Sequence, residues 1–363
     1  REYIMKKSIA IIFGGCSSEY HVSLHSSYSV IKNLDDDKYE KHLIGITEDG
    51  CWYYFDDDID KINDDTWQNG NVKKAFISPD RNDRGLWIVD ENKFIHLDAV
   101  FPVLHGKNGE DGSIQGLLQL AGIPIVGCGM EASVLCMDKY IAHRIANDVG
   151  VKTPKNIMIH EWDNPLEMED DILKLGLPLF VKPIKAGSSL GMTKVHEEKD
   201  LIPAINEAFK FDNQVICEEN VEGFEVGCAV IGNDQLSVSP VDEIELFVDW
   251  FDYGEKYSQL KSKIHLPARI EDGLAREVQN TALKVYRALC CEGYARVDIF
   301  IRNLKQSSGT VGNGNNQNLN YEILFNEINT IPGLTDVSRF PKMAEAMGIE
   351  YSNLLDKLIE LAK

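Results

Sequence analysis

Two oxygen-bearing side chains stand two positions apart near the carboxyl-terminal end of the chain. Glu327 and Asn329 follow a short apolar run, so as a continuation of a strand both would point to one face. Asp298 ends a second run of alternating apolar residues and offers a third oxygen ligand. Mg²⁺ uses such oxygens when it also holds substrate phosphates. The spacing indicates a magnesium site; the plainer alternative is a strand end followed by the Pro332-Gly333 turn.

A lysine and a loop of small residues form a second chemical group. Lys182 ends an apolar run, and the pattern Gly-Ser-Ser-x-Gly follows at 187–191. Small residues let backbone amides approach a phosphate, while the lysine supplies a mobile positive charge. The pattern does not match the Walker loop G-x-x-x-x-G-K-[ST]. We interpret it as a phosphate-binding loop, with an ordinary hairpin as the alternative.

An acidic segment at 217–225 follows another apolar run. The backbone at 219–221 could pair with an adenine edge, and Glu225 could accept hydrogen bonds from ribose hydroxyls. A charged surface turn is the other interpretation.

The elements that must position these groups alternate along the chain. An apolar strand at 6–13 runs into Gly14-Gly15, a strand-to-helix turn of the kind that binds anionic groups in α/β proteins. Helical spacing predicts helices over 131–149 and 343–361. Residues 303–320, rich in Gly, Asn, Gln and Ser, predict a hairpin tip to which we assign no chemistry.

Changes in the pattern of predicted strands, helices and loops along the chain indicate three domains. They are an N-terminal α/β substrate domain at 1–129, a central domain at 130–222 and a C-terminal domain at 223–363. The C-terminal domain would carry the metal site and a polar, aromatic loop at 249–263 that we expect to be mobile.

Composition narrows the class of protein. The 363 residues can bury two or three cores, and 44% hydrophobic with 26% charged residues is typical of soluble globular proteins. The net charge of -21 argues against nucleic acid or an anionic membrane as a partner. No segment is apolar enough to span a bilayer, and we expect a cytoplasmic protein in which most of the eight cysteines are reduced core residues.

Taken together, these motifs resemble the D-alanine–D-alanine ligases and their vancomycin-resistance relatives of the ATP-grasp superfamily, over nearly the whole chain. The motifs that carry the resemblance are the Gly14-Gly15 region at 13–23, His-Gly-Lys-Asn-Gly-Glu-Asp-Gly at 105–112, Met-Asp-Lys at 137–139, the Lys182 loop, Phe-Asp-Tyr-Gly-Glu-Lys-Tyr at 251–257, Arg296 with Asp298, and the stretch 325–341. The resemblance implies an ATP-grasp fold, an N-terminal parallel α/β domain followed by central and C-terminal α+β domains that sandwich ATP.

The resemblance also implies a two-step reaction. The carboxylate of D-alanine attacks the γ-phosphate of ATP to give an acyl phosphate, and the amine of a second substrate then displaces phosphate. The implied catalytic residues are Glu19, His105, Ser188, Tyr257 and Arg296. ATP would be held by Lys139, Lys182, Ser189, Glu218, Glu219, Val221, Glu225 and Lys256, and two Mg²⁺ ions, replaceable by Mn²⁺, by Asp298, Glu327 and Asn329. The family further implies a homodimer.

The second substrate is expected to contact Gly333, Ser338 and Arg339. The arginine resembles the VanC-type and VanG-type D-alanine–D-serine ligases, since ordinary D-alanine–D-alanine ligases carry an apolar or aromatic residue there. A guanidinium can donate to the hydroxyl that D-alanine lacks. The chain is most similar to the VanG type. This similarity favours D-serine as the second substrate and suggests a role in vancomycin resistance. The loop at 251–257 differs from that of the D-lactate ligases and disfavours D-lactate as the second substrate. The alternatives are a housekeeping D-alanine–D-alanine ligase, with Arg339 in a surface salt bridge, and a nucleotide-binding regulator without activity.

Overall fold

The structure is a computed structural model that describes residues 6–246, 262–304 and 321–363. A seven-stranded sheet forms the N-terminal part of the chain. Its strands are β1 (Lys7–Gly14), β2 (Tyr39–Ile46), β3 (Trp52–Phe55), β4 (Val72–Ile77), β5 (Gly85–Ile88), β6 (Lys93–His96) and β7 (Ala99–Pro102), in the order β6-β5-β4-β3-β2-β1-β7. The helices α1 (Tyr20–Asn33), α2 (Asp60–Asn63) and α3 (Ser113–Ala121) accompany it.

The expected parallel arrangement holds for β2, β1 and β7, and the structure adds four antiparallel strands. The short connection from β2 to β3 permits only antiparallel pairing, because a parallel pair needs a crossover of a dozen or more residues. Strand β1 buries Ile11 in the same core as α1 and Ile12 in the core that contains α3. Burial on both faces explains why its sequence is continuously apolar instead of alternating.

The single helix predicted over 131–149 is two helices, α4 (Met130–Met137) and α5 (Lys139–Asp148). Asp138 leaves the helical conformation with ψ at 96°, and its carboxylate accepts a hydrogen bond from the amide of Ile141 at 2.9 Å. An aspartate at this position caps the amino end of a helix and satisfies one of its free amides. The cap restarts the helix, so that Lys139 becomes its first residue.

The second sheet is antiparallel and lies at the centre of the chain. It contains β8 (Asn156–His160), β9 (Leu179–Pro183), β10 (Thr193–Val195) and β11 (Gln214–Glu219), in the order β10-β9-β11-β8, with helices α6 (Pro165–Leu173) and α7 (Leu201–Ala208). Its apolar side chains form a cluster of their own around Leu179 and Ile205.

The third sheet is also antiparallel. It contains β12 (Gly223–Ile231), β13 (Ser237–Val238), β14 (Asp242–Leu246), β15 (Ser262–His265), β16 (Tyr294–Asn303) and β17 (Tyr321–Asn329), in the order β15-β14-β12-β16-β17 with β13 beside β12. Helix α8 (Asp272–Ala288) shares a core with one face of this sheet, where Val297, Ile299 and Ile301 are buried. The intervening residues of β16 face the other way and are free to carry chemistry.

The chain closes with two helices where one was predicted over 343–361. They are α9 (Arg339–Ala346) and α10 (Tyr351–Glu360), separated at Gly348, whose φ of +81° is a left-handed conformation that ends a helix. Both helices pack in the core that also contains Phe101 of the first sheet and Tyr294 of the third. No helix in the described ranges combines the length and apolar character needed to cross a bilayer.

Candidate active site

Strand pairing assembles a row of four residues across the third sheet. Asp242 of β14 lies opposite Gly227 of β12, Gly227 opposite Asp298 of β16, and Asp298 opposite Glu327 of β17. Directly opposed residues of antiparallel strands share a face of the sheet. Since the apolar residues of β16 face α8, this row lies on the opposite face, away from that helix.

A neighbouring row adds Arg296 and Asn329, which lie opposite each other on β16 and β17. The structure therefore brings all three predicted metal ligands together. Asn329 donates from Nδ2 to Oδ2 of Asp298 at 2.9 Å, and Arg296 binds both oxygens of Asp298 through Nε and Nη2 at 2.8 to 3.1 Å.

The donor set fits Mg²⁺ in its chemistry, with two carboxylates and one amide oxygen. Within the described ranges, no group of three His, Cys, Asp or Glu side chains could hold a metal ion by itself. The predicted set therefore takes its third oxygen from the amide of Asn329. Because Mg²⁺ keeps open positions for waters and phosphates, two carboxylates with an amide suit a metal that enters with a nucleotide.

Glu19 lies at the end of the loop that follows β1, immediately before α1. The hydroxyl of Ser188 donates to its Oε1, which joins the central hairpin to the first sheet's turn. A Cβ added to Gly106 or to Gly187 would come within 2.5 Å of Oε2 of Glu19. Two glycines therefore let two separate loops close around one carboxylate.

His105 is buried beside this carboxylate, and its Nε2 lies 3.2 Å from the hydroxyl of Ser26. Burial lowers the pKa of His105, and the charge of Glu19 opposes that shift only partly. The imidazole is therefore held in its neutral form near pH 7. A cavity of about 230 Å³ opens next to it, lined among others by Gly15 and Leu104.

The loop of small residues is both a hairpin and a contact surface. Strands β9 and β10 pair antiparallel, as the plainer interpretation required, and Ser188 and Ser189 between them have φ of +51° and +61°. Lys139 donates from Nζ to the carbonyl of Ala186 at 2.9 Å and lies 3.8 Å from Oε2 of Glu327. The lysine thus bridges the loop and a predicted metal ligand.

Lys182, partly buried, forms an ion pair with the buried Glu218, with Nζ 2.6 Å from Oε1. Glu219, the next residue, faces the other way and accepts from the amide of Lys155 and from Arg302. Its side chain is therefore structural, while Val221, partly buried, follows in the turn to β12. The side chain of Glu218 and the backbone at 219–221 stay the predicted nucleotide contacts of this segment.

Arg339 forms ion pairs with three carboxylates, those of Asp242, Glu225 and Asp298. Its Nε and Nη2 each lie 2.8 Å from an oxygen of Asp242, and its Nη1 lies 3.3 Å from Glu225 and 3.2 Å from Asp298. Only 15% of the Arg339 side chain is exposed, and Asp242 is buried. The surface salt bridge considered as an alternative is therefore wrong, because these contacts lie inside the protein.

Gly227 makes this enclosure possible. A Cβ at Gly227 would lie 2.5 Å from Nη2 of Arg339 and 3.0 Å from Asp298, so the guanidinium occupies the gap that the missing side chain leaves in the row. Ser338, just before Arg339, lies 2.7 Å from the hydroxyl of Thr335, and a Cβ at Gly333 would come within 3.0 Å of its Oγ. The three predicted acceptor residues thus lie in one compact turn.

Two carboxylates near the site were not predicted from the sequence. Asp242 lies 97 positions from Arg339, and no local spacing indicates their contact. Glu110 could have been predicted, because it lies in the motif at 105–112. Its two carboxylate oxygens accept hydrogen bonds from the amides of Gly106 and Ile331 at 2.9 and 3.1 Å. Burial and the charge of Glu19 raise the pKa of Glu110 to about 8.

Two predicted residues, Lys256 and Tyr257, lie outside the described residues, as does most of the loop predicted at 249–263. Their roles stay predictions.

Comparisons with known proteins point to one protein family over nearly the whole chain. The family model for the D-ala D-ala ligase N-terminus matches residues 8–128, and that for the D-ala D-ala ligase C-terminus matches residues 145–360. A D-alanine–D-alanine ligase of Caldicellulosiruptor bescii is 39% identical over 363 residues, covering 98% of this chain and 95% of the relative.

Two solved structures show the same fold. The VanG D-Ala:D-Ser ligase from Enterococcus faecalis is 44% identical with a TM-score of 0.87, covering 98% of this chain and 99% of that one. The D-alanine–D-alanine ligase from Bacillus anthracis complexed with ATP is 30% identical with a TM-score of 0.70, covering 98% and 97%. The predicted ATP-grasp fold is confirmed by these matches.

Proposed function

Because the chain belongs to the D-alanine–D-alanine ligase family, we propose that it uses ATP to join D-alanine to a second D-amino acid, and that D-serine is favoured. The observation that carries the D-serine proposal is the position of Arg339, which Asp242 holds through two hydrogen bonds of 2.8 Å. A guanidinium fixed in this way would direct Nη1 at the acceptor once its contacts with Asp298 and Glu225 are replaced. The VanG structure, a D-Ala:D-Ser ligase, supports the proposal by similarity.

The first step requires an attacking carboxylate and a stabilised phosphoryl group. Glu19, joined to Ser188, would bind the ammonium of the first D-alanine, and neutral His105 would lie beside that substrate. Lys139 and Lys182 would hold the phosphates, with Ser189 in the same loop. Since negative charge accumulates on the transferring group, fixed cations there lower the barrier.

ATP and two Mg²⁺ ions complete the proposed site. Asp298, Glu327 and Asn329 would hold the ions, which supply charge neutralisation to the phosphates when bound. Glu218 and the backbone near Val221 would contact adenine, and Glu225 the ribose. The solved ATP complex from Bacillus anthracis shows that a member of this family binds ATP.

The second step would form the peptide bond from D-alanyl phosphate. The amine of the acceptor would attack the acyl carbon, and Arg296, held against Asp298, would stabilise the oxyanion that develops. Collapse of this intermediate would break the bond between the acyl carbon and the phosphate oxygen, releasing inorganic phosphate and the amine proton. Gly333 and Ser338 would border the acceptor, and Arg339 would donate to the D-serine hydroxyl. A site built for that hydrogen bond discriminates against D-alanine, because the donor would otherwise stay unsatisfied.

We propose that the units at 1–129, 130–222 and 223–363 close around ATP, with the loop at 249–263 supplying Lys256 and Tyr257. The three sheets support this division. We further propose a cytoplasmic homodimer, since the reaction consumes ATP and the family resemblance implies two subunits. Size-exclusion chromatography with light scattering tests the dimer.

A housekeeping D-alanine–D-alanine ligase is the second candidate, favoured by the similarity to the Caldicellulosiruptor bescii enzyme. An ATPase assay with D-alanine alone, and then with D-serine or D-lactate added, separates the candidates when the products are identified by mass. Arg339→Leu is expected to shift the ratio of kcat/KM for D-serine and D-alanine toward D-alanine. An unchanged ratio would reject the role of Arg339.

A further inference from the structure

The guanidinium of Arg339 contacts two sets of carboxylates that have different proposed tasks. Asp242, to which we assign no task in nucleotide binding, accepts hydrogen bonds from Nε and Nη2. Asp298 and Glu225, the proposed metal and ribose ligands, both contact the remaining terminal nitrogen, Nη1, at 3.2 and 3.3 Å. One nitrogen is therefore shared between the nucleotide side of the site and the acceptor side.

Asp298 is the carboxylate on which several donors converge. Arg296 binds it through two nitrogens, Asn329 donates to Oδ2, and Arg339 approaches Oδ1. A metal ion at Asp298 needs a lone pair that one of these donors now uses. The contact from Arg339 is the longest of these. Arg339 can lose this contact with Asp298 and still keep both hydrogen bonds to Asp242.

We propose that Arg339 competes with the metal for Asp298 and thereby couples nucleotide binding to acceptor selection. When metal and ribose engage Asp298 and Glu225, Nη1 is released while Asp242 keeps the guanidinium in place. The freed N–H groups are then available to the acceptor hydroxyl. This inference rests on the proposed function for the identity of the acceptor, although the competition itself concerns only the metal side.

Competition has a direct thermodynamic consequence. A side chain that must leave a ligand before the metal binds lowers the apparent metal affinity, and its removal raises that affinity. Asp242 acts in the opposite direction, because it draws the guanidinium away from Asp298. Weakening the interaction between Asp242 and Arg339 should therefore strengthen the contact of Arg339 with Asp298 and lower the apparent metal affinity.

The test measures the Kd of ADP by isothermal titration calorimetry, first in EDTA and then in saturating Mg²⁺. The Kd in EDTA divided by the Kd in Mg²⁺ reports how much the metal strengthens ADP binding. This ratio rises when the metal binds more tightly, and an effect that acts equally on ADP in both conditions cancels. For Arg339→Leu we expect the ratio to rise at least about threefold over the wild type, and for Asp242→Asn we expect it to fall.

Arg339→Lys separates competition from simple charge repulsion. A lysine keeps the positive charge, but its single ammonium, held by Asp242, cannot also span to Asp298 and Glu225. Competition predicts that the lysine variant shows a raised ratio like the leucine variant. Repulsion at a distance predicts the wild-type ratio, and that result would overturn the proposal.

Arg269→Leu is the matched control, because Arg269 binds Glu243 on the same strand at 2.6 Å without touching the row of site residues. Its ratio should equal that of the wild type. Should Arg339→Leu fail to fold, as judged by its melting temperature, Arg339→Gln replaces it with the same expectation. A ratio that is unchanged or lowered in Arg339→Leu, or in the variant that replaces it, overturns the coupling even if D-serine proves to be the acceptor. A raised ratio in a variant that keeps the wild-type preference between D-serine and D-alanine overturns only the acceptor assignment.

Discussion

At the scale of single residues, Gly227 shows how a missing side chain shapes the site. It stands in the row between Asp242 and Asp298, and its missing Cβ leaves the space that the guanidinium of Arg339 fills. The buried charges would be costly without these pairings, since removing one partner leaves the other uncompensated. The position of Arg339, the proposed acceptor contact, therefore depends on a glycine that has no side chain.

Gly227→Ala should displace Arg339, because the new Cβ would come within 2.5 Å of Nη2. We expect a loss of about 1–3 kcal/mol in the free energy of unfolding, the usual cost of overpacking, and a reduced preference for D-serine. Denaturant unfolding and the ratio of kcat/KM values measure both effects. Gly273→Ala is the control: it lies in α8 with no atom within 4 Å of the added Cβ, and it should stabilise by about 0.5–1 kcal/mol. Equal effects of the two substitutions would contradict the steric account.

Glu110 predicts a pH dependence of stability. Its pKa is raised in the folded state from 4.5 to about 8, so the protein binds this proton more tightly when folded. The stabilisation from this proton is fully present below pH 4.5 and is lost as the pH rises to about 8. Each pH unit within that window is worth up to about 1.4 kcal/mol.

Glu110→Gln should remove this dependence. Its free energy of unfolding, relative to the wild type, is expected to rise steadily between pH 5 and pH 8 in denaturant titrations. Glu161→Gln, at an exposed glutamate, serves as the control and should show no such trend. A constant difference between the Glu110 variant and the wild type across that range would show that burial does not hold the proton.

At the scale of elements, alternation along β16 and β17 was readable from the sequence, and it placed Asp298, Glu327 and Asn329 on one face. The break between α4 and α5 was not, because the apolar spacing continues through Asp138 and only the backbone conformation reveals the cap. Asp242 was missed for a different reason. Its partners come from strands and a helix distant in sequence, and local periodicity carries no information on which strands become neighbours.

The cap at Asp138 gives a prediction for α5. Asp138→Ala should cost about 1 kcal/mol of stability and raise the KM for ATP severalfold, since Lys139 is the first residue of the capped helix. Asp138→Asn retains a capping oxygen and should lie close to the wild type in both measurements. If alanine and asparagine raise the KM equally, the cap is not what positions Lys139.

At the scale of the whole molecule, the three sheets differ in how they are joined. The first and third share a core that includes Phe101, Tyr294 and Phe340, whereas the central sheet has a core of its own. The contact between Ser188 and Glu19 links the central hairpin to the first sheet's turn. We therefore expect the central unit to move as a body when substrates bind.

Ser188→Ala tests this link. Removal of the hydroxyl should raise the KM for the first D-alanine about tenfold, since a hydrogen bond to a charged group is worth roughly 1.5–3 kcal/mol. Hydrogen exchange of the backbone amides at 187–192 should also become faster in the presence of ADP and D-alanine. Unchanged exchange would contradict a role for this contact in closure.

The most direct test of the central claim is a competition experiment. The enzyme is incubated with ATP, Mg²⁺, D-alanine and an equal concentration of D-serine, and the dipeptides are quantified by mass spectrometry. We expect that formation of ADP depends on D-alanine and that D-alanyl-D-serine is the main product. A product consisting of D-alanyl-D-alanine alone would contradict the assignment of Arg339, and the absence of any ATP-dependent dipeptide would contradict the ligase itself.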